Sequence, residues 1–194
     1  MSISLVAGLG NPGRTYASTR HNLGWVVIDA LAAKLGLSWK SQAQFQAHVA
    51  RWDRPGHGTC WLAKPQTFMN DSGVAVGALA RFHKLPVESV LVIYDDLNID
   101  LGLVKVSVTG SAGGHNGVAS LLEHLGDGFV RYRLGIGPKM PPQMDLKDFV
   151  LGKFTPEQDT LVSQNLPHYL SGLDLLLSRG VEAAMNQLNR REPK

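Results

Sequence analysis

Four loops stand out as places for chemistry: GLGNPGRTY, PQTFMNDSG, YDDLNID and GSAGGHNG. Each begins at the end of an expected element and carries convergent polar groups. Beyond the first lies STRHNLGW, where His21 ends the glycine-rich stretch and opens an apolar, helix-like run. A histidine there can be a general base, or only a polar residue at a helix start. Asp95 or Asp96, closing the apolar run SVLVIYDD, makes the first reading chemically complete. A carboxylate can hold an imidazole in one tautomer and stabilise its protonated form. The other ring nitrogen is then free to take a proton from water. The same Asp-Asp pair also suits a turn or cap.

Asn11 sits on a rigid glycine and proline platform and offers an amide that both donates and accepts. Asn70 and Asn116 precede helical runs, where asparagine is a good N-cap. Alternatively, their amides grip a peptide backbone or a developing oxyanion. His115 is available as a second base or as a ligand.

Other chemistries lack their residues. GLGNPG has G-x-G spacing, but Pro12 removes a backbone donor and Asn11 breaks the dinucleotide fingerprint, so a nucleotide cradle is not expected. The seven histidines show no H-x-x-x-H spacing and cysteine ligands are lacking, so the expectation is no metal and no cofactor. No G-x-S-x-G elbow supplies a serine nucleophile.

These loops need a scaffold. ISLVAGLG reads as a buried strand, and LGWVVIDALAAKLG as a helix with Trp25, Ile28, Leu31 and Leu35 at helical spacing. AQFQAHVARW alternates Phe45, Ala47 and Val49, turns at DRPGHG and returns in TCWLAKP as a hairpin. GVAVGALARFHKL is helical. SVLVIYDD, continuously apolar and β-branched, suits a central strand covered on both faces. LVKVSVTG and RYRLGIG are further strands, with the helix VASLLEHLG between them, and KMPPQMD is a long loop. From about residue 156 the chain looks helical, with Pro167 as a break. Interleaved strands and helices imply an α/β fold: one domain over residues 1–194, a twisted mixed sheet flanked by helices on both faces.

Composition sets limits on setting and partners. No apolar run approaches the ~20 residues of a bilayer span, and no secretion signal opens the chain, so no membrane association is expected. Cys60 is the sole cysteine, which suits a buried core thiol in a reducing cytoplasm. A formal charge of +3 permits a polyanionic partner without requiring one. The basic cluster in QLNRREPK reads as a solvated tail.

The ordered set VAGLGNPGRTYASTRHNLGW, KPQTFMNDSG, VIYDDLNIDLG, GSAGGHNG, RYRLGIG and DFVLGKF resembles bacterial-type peptidyl-tRNA hydrolase over nearly the whole chain. The resemblance implies hydrolysis of the ester joining a peptide to the terminal ribose of tRNA, by a cytoplasmic, metal-free monomer. By position, His21 resembles the family's general base and Asp95 the carboxylate that orients it. Asn11 resembles the residue that separates blocked from free amino ends. Tyr16, Phe68, Asn70 and Asn116 resemble substrate contacts, with Met69 and His115 in the same cleft. Lys105 and Arg133 fall where basic contacts to tRNA are expected.

The chain departs from the family pattern at Ser107, where a second lysine is common, and at Tyr94, Asn98 and Asp71. None of these removes a group the chemistry requires. Two other classes compete. A binding protein of the same fold would not need His21, Asp95, Asn11, Asn70 and Asn116 together. A phosphorylase or aminopeptidase needs a phosphate pocket or paired metals, and neither signature is present.

Overall fold

A computed structural model describes residues 2–190. The end of the basic cluster, Arg191 to Lys194, lies outside the described residues. The strands are β1 (Leu5–Gly8), β2 (Lys40–Gln42), β3 (Ala47–Arg54), β4 (Gly58–Pro65), β5 (Val90–Asp100), β6 (Val104–Ser107) and β7 (Val130–Gly137). The helices are α1 (Leu23–Lys34), α2 (Ser72–Phe82), α3 (Asn116–Leu125), α4 (Leu146–Leu151), α5 (Pro156–Arg179) and α6 (Val181–Leu188). The strands form one mixed sheet in the order β2-β3-β4-β1-β5-β7-β6. Its centre, β4-β1-β5-β7, is parallel. Antiparallel β3 and β2 extend one edge, and antiparallel β6 closes the other.

The expected α/β layering follows from side-chain alternation along the central strands. Leu91 and Ile93 of β5 face the core under α1, α5 and α6, with Ile28, Leu31, Leu173 and Ala184. Val90 and Val92 face the other core, under α2 and α3, with Val76, Leu79, Val118 and Leu121. Burying both faces explains why β5 begins as a continuous apolar run rather than an alternating one.

Strand β5 runs on to Asp100, so the Asp-Asp pair lies within the strand, opposite Leu134 and Gly135, rather than in a turn. Alternation therefore separates the two carboxylates. Asp95 shares parity with Ile93 on the α1 side, and Asp96 with Tyr94. Helix α1 starts close against these strand ends because Gly24 lacks a side chain. A Cβ there would lie 2.5 Å from the Ile93 carbonyl oxygen and 2.7 Å from that of Leu9. That contact brings the turn Arg20–Asn22, immediately before α1, beside the end of β5.

Three expectations need correction. Pro167 does not break the C-terminal helix, since α5 runs through it from Pro156 to Arg179. Both Pro167 and Ser163, whose carbonyl loses its partner, are exposed, so water can satisfy the freed oxygen. Buried Val162, Tyr169 and Leu173 hold the helix to the core on either side. Phe45 belongs to a 3₁₀ turn (Ala43–Phe45) ahead of β3, and left-handed Gln46 re-aims the chain. Helix α4, after the proline-bearing loop, is unanticipated, because fewer than two turns leave little periodicity to read.

Candidate active site

At the carboxyl ends of β1 and β5, where open α/β sheets usually bind ligands, lies a cavity of about 840 Å³. Asn11, Tyr16, His21 and Asp95 line it. Phe68, Met69 and Asn70 enter from the turn before α2, His115 and Asn116 from the start of α3, and Arg133 from β7. Lys105 does not line it. It is half-buried on β6, directly opposite Arg133 in the antiparallel register.

Asp95 is the hub. Its carboxylate lies 2.9 Å from His21 Nδ1 at both oxygens, and Oδ1 is 3.1 Å from His115 Nε2. Asp95 is 2% exposed. Burial pushes its carboxyl towards the neutral acid. The charge and hydrogen bonds of the two facing imidazoles outweigh that and hold it well below the ordinary carboxylate range. Asp96 takes no part. It accepts from Arg133 Nε at 2.8 Å and from the Asn98 amide at 2.8 Å. Strand alternation thus decides which aspartate faces the histidine.

The two histidines differ in what they leave free. His115, not Asn116, is the N-cap of α3: its Nδ1 accepts from the Val118 amide at 3.3 Å. That bond fixes the proton on Nε2, which donates to Asp95. Both nitrogens of neutral His115 are committed, so it has none left to serve as a second base. His21 donates to Asp95 through Nδ1, and its Nε2 has no protein partner among the described residues. The tilted rings stand 4.7 Å apart between centroids. Tyr94, the departure from the family pattern, packs edge-on against His115 at 5.0 Å.

Asn11 is oriented as firmly. Its Oδ1 accepts from the Met69 amide at 2.7 Å, which leaves Nδ2 as the end available to a ligand. Asn22 holds the same residue from behind. Its Oδ1 accepts from the Asn11 amide at 2.8 Å, and its Nδ2 donates to the Asn11 carbonyl at 3.0 Å. Asn70 caps neither helix. It lies in the 3₁₀ turn Met69–Asp71, exposed to the cavity. Tyr16 and Phe68 meet edge-to-face at 6.2 Å and form an apolar wall, with Phe68 more than half exposed.

Sequence reasoning missed Asn22 and Arg131. A polar residue at the apolar entry to α1 is the one signal for Asn22. Arg131 is buried, lines the cavity and donates from Nη1 to the Ser111 carbonyl at 2.8 Å. Its Nη2 reaches Asp127 at 3.2 Å and the Gly110 carbonyl. Those bonds pin the glycine loop ahead of His115, and nothing local in RYRLGIG announces them.

Among the described residues, His21, Asp95 and His115 form the one set able to close on a metal ion, with donor atoms within 4.8 Å of one another. Here the nitrogens are partnered by the carboxylate itself. A nitrogen base held by a buried carboxylate, beside oriented amide donors, is equipped to activate water against an acyl group.

The sequence profile of the family described as Peptidyl-tRNA hydrolase matches residues 5–194. A peptidyl-tRNA hydrolase of Gloeobacter violaceus is 42% identical over 192 residues, covering 98% of this chain and 96% of its own length. One from an Anaeromyxobacter species is 45% identical over 190 residues, covering 97% of each. The crystal structure of peptidyl-tRNA hydrolase from Acinetobacter baumannii superposes with a TM-score of 0.88 at 37% identity. That match covers 99% of this chain and 97% of the other.

The double use of His115 makes a stability prediction. His115→Ala loses both the α3 cap and the bond to Asp95, whereas His115→Asn, whose amide oxygen can cap, loses only the bond. The asparagine variant should therefore unfold in urea with a free energy about 0.5–2 kcal/mol above that of the alanine variant. Equal stability of the two variants would rule out the capping role.

Proposed function

The chain belongs to the peptidyl-tRNA hydrolase family, and we propose that it cleaves the peptidyl–tRNA ester with His21 as base and Asp95 as its orienting carboxylate. One observation carries this reading. His21 is tied to a buried carboxylate through Nδ1, while Nε2 stands free at the wall of the cavity. In the reaction, Nε2 takes a proton from water as the water oxygen attacks the ester carbonyl carbon. The C–O bond to the terminal ribose then breaks, and the imidazolium returns the proton to the departing ribose oxygen. Asp95 stabilises the transient imidazolium and remains ionised throughout. Such general-base help contributes ~10²–10⁴ in rate, and amide donors facing the developing oxyanion add to it.

Asn11 gives a rationale for choosing blocked amino ends. With Oδ1 taken by Met69, the amide presents a donor to the cavity. A peptide carbonyl accepts from that donor, whereas a free ammonium finds another donor and would be buried unpaired at high cost. Asn70 and Asn116 supply further amide contacts to the peptide, and Tyr16, Phe68 and Met69 an apolar surface. On the nucleic-acid side, Lys105 and Arg133 contact phosphate, which serves many tRNAs without reading bases. No helix of the described residues is long and apolar enough to cross a membrane. We take the active form to be a monomer working in the cytoplasm, where translation produces this substrate.

Four measurements test the reading. His21→Ala, with its fold checked by circular dichroism, should still bind tRNA yet release N-acetylated amino acid from it ~10²–10⁴-fold more slowly. Near-normal release would sink the mechanism, and no release by the wild type would favour a binding protein of this fold. Because the folded-state carboxyl of Asp95 titrates below its ordinary range, it keeps its charge in mild acid. Acidification to pH 5 should therefore leave the Asp95 carboxylate ionised, and a wild-type rate profile that followed its protonation in that range would contradict this.

Asn11→Asp turns an acceptor towards the cavity. It should narrow the preference for N-acetylated over free aminoacyl-tRNA by roughly tenfold or more, about one hydrogen bond to a charged group. An unchanged ratio of kcat/KM values would remove Asn11 from discrimination. Lys105→Gln and Arg133→Gln should each weaken tRNA binding and reduce the slope of log Kd against log salt by roughly 0.7–0.9. Unaltered slopes would place the phosphates elsewhere.

A further inference from the structure

Arg20 precedes the base in the chain, is buried, and points away from the cavity that His21 lines. Its Nη1 donates to the Phe149 carbonyl of α4 at 3.1 Å, and its Nη2 to Gln158 Oε1 at 3.0 Å. The guanidinium lies 4.3 Å from the centroid of the Phe149 ring and 5.5 Å from that of Phe154. Its own backbone amide donates to the Gly152 carbonyl at 3.0 Å, and Thr19 bridges to Lys153. None of the ion pairs among the described residues includes Arg20. A buried cation held by a carbonyl, an amide and two rings is costly to place. Its position therefore calls for a reason beyond general stability.

Helix α4 supplies that reason. Leu146, Lys147, Val150 and Leu151 form a wall of the cavity, while Phe149 is the one residue of this helix in the core. With six residues, α4 cannot sustain itself by its own hydrogen bonds. Apart from Arg20, the hydrogen bonds of residues 145–152 among the described residues stay within that segment. Gly152 leaves room for the contact, since a Cβ there would lie 2.8 Å from Arg20 Nη1.

We infer that Arg20 is a positioning residue of the reaction: its guanidinium clasps the cavity-wall helix α4 to the turn that carries His21. The wall and the base are then set by adjacent residues of one turn, so the cavity is formed before substrate enters. Without the clasp, α4 must be ordered during binding. The cost then falls on substrate affinity rather than on proton transfer. The kinetic consequence rests on the hydrolase reading; the clasp itself does not.

Two variants test it. Arg20→Met keeps length and the apolar contacts but loses both donors. Gly152→Ala displaces the guanidinium and leaves Arg20 in the sequence. Either should raise KM for N-acetylated aminoacyl-tRNA about tenfold, with kcat within about twofold, the loss of about one charge-assisted hydrogen bond. Amide exchange should accelerate across residues 146–152 and not in the sheet.

If Arg20→Met fails to fold, Gly152→Ala carries the same comparison. Unchanged KM and unchanged exchange beside an active wild type would overturn the clasp. A lower kcat with a displaced pH profile and normal exchange would also overturn it, because the effect would then act on the imidazole. A wild type without turnover would count against the hydrolase reading instead, and the exchange of residues 146–152 alone would then decide the clasp.

Discussion

A carboxylate almost without exposure sits midway along β5, just past the end of β1, and much of the surrounding structure is arranged to keep it charged. Left alone, Asp95 would take up a proton in so dry a place. Two imidazoles from different helices meet it instead: His21 ahead of α1 and His115 at the start of α3. Hydrogen bonds to a charged group contribute about 1.5–3 kcal/mol each. The same contacts that keep Asp95 ionised therefore also fasten α1 and α3 across the two faces of the sheet. Chemistry and architecture share those bonds, so the histidines cannot be altered for one purpose without affecting the other.

The sheet makes the convergence possible. Strand β1 ends at Gly8, opposite Ile93, while parallel β5 runs on through Asp95, so the loop that follows β1 leaves the sheet beside that carboxylate. Gly24 lets α1 start in contact with the backbone of Leu9 and Ile93, which brings the preceding turn to the carboxylate. Asn22 binds both backbone groups of Asn11 and so joins that turn to the loop after β1. His21, Asp95 and Asn11 are thus located relative to one another by short-range contacts to backbone, with little left to long side chains.

Much of this was legible in sequence. The continuous apolar run of β5 announced a central strand, and the loops of Asn11, Asp95 and GGHNG, each following an expected strand, announced a shared end of the sheet. What sequence left open was decided by geometry. Asp95 and Asp96 are identical in type, and only strand parity gives one to His21 and the other to Arg133. Asn116 is the cap that residue type favours, yet His115 caps α3. The observed choice depends on Asp95 lying within reach of the far ring nitrogen. Pro167 signalled a break by local rules, but solvent at its freed carbonyl and buried anchors on either side let α5 continue. Arg131 and Arg20 gave no signal because the carbonyls they bind, Gly110 and Ser111 for the one and Phe149 for the other, are remote in sequence.

A common logic separates the roles of these groups. His21 has one nitrogen tied and one free, and Asn11 has its oxygen tied and its nitrogen free. In each case the tie selects which chemical function faces the cavity: a lone pair in the first, a donor in the second. His115 has both nitrogens tied and so lends its proton to Asp95 without acting as a base. Arg133 spends Nε on Asp96, and its outer nitrogens have no partner among the described residues. Arg20, with both outer nitrogens bound to protein, has nothing to offer a ligand and acts by holding other parts in place. Counting which polar atoms the fold has already satisfied therefore distinguishes reacting groups from positioning ones, where residue type alone does not.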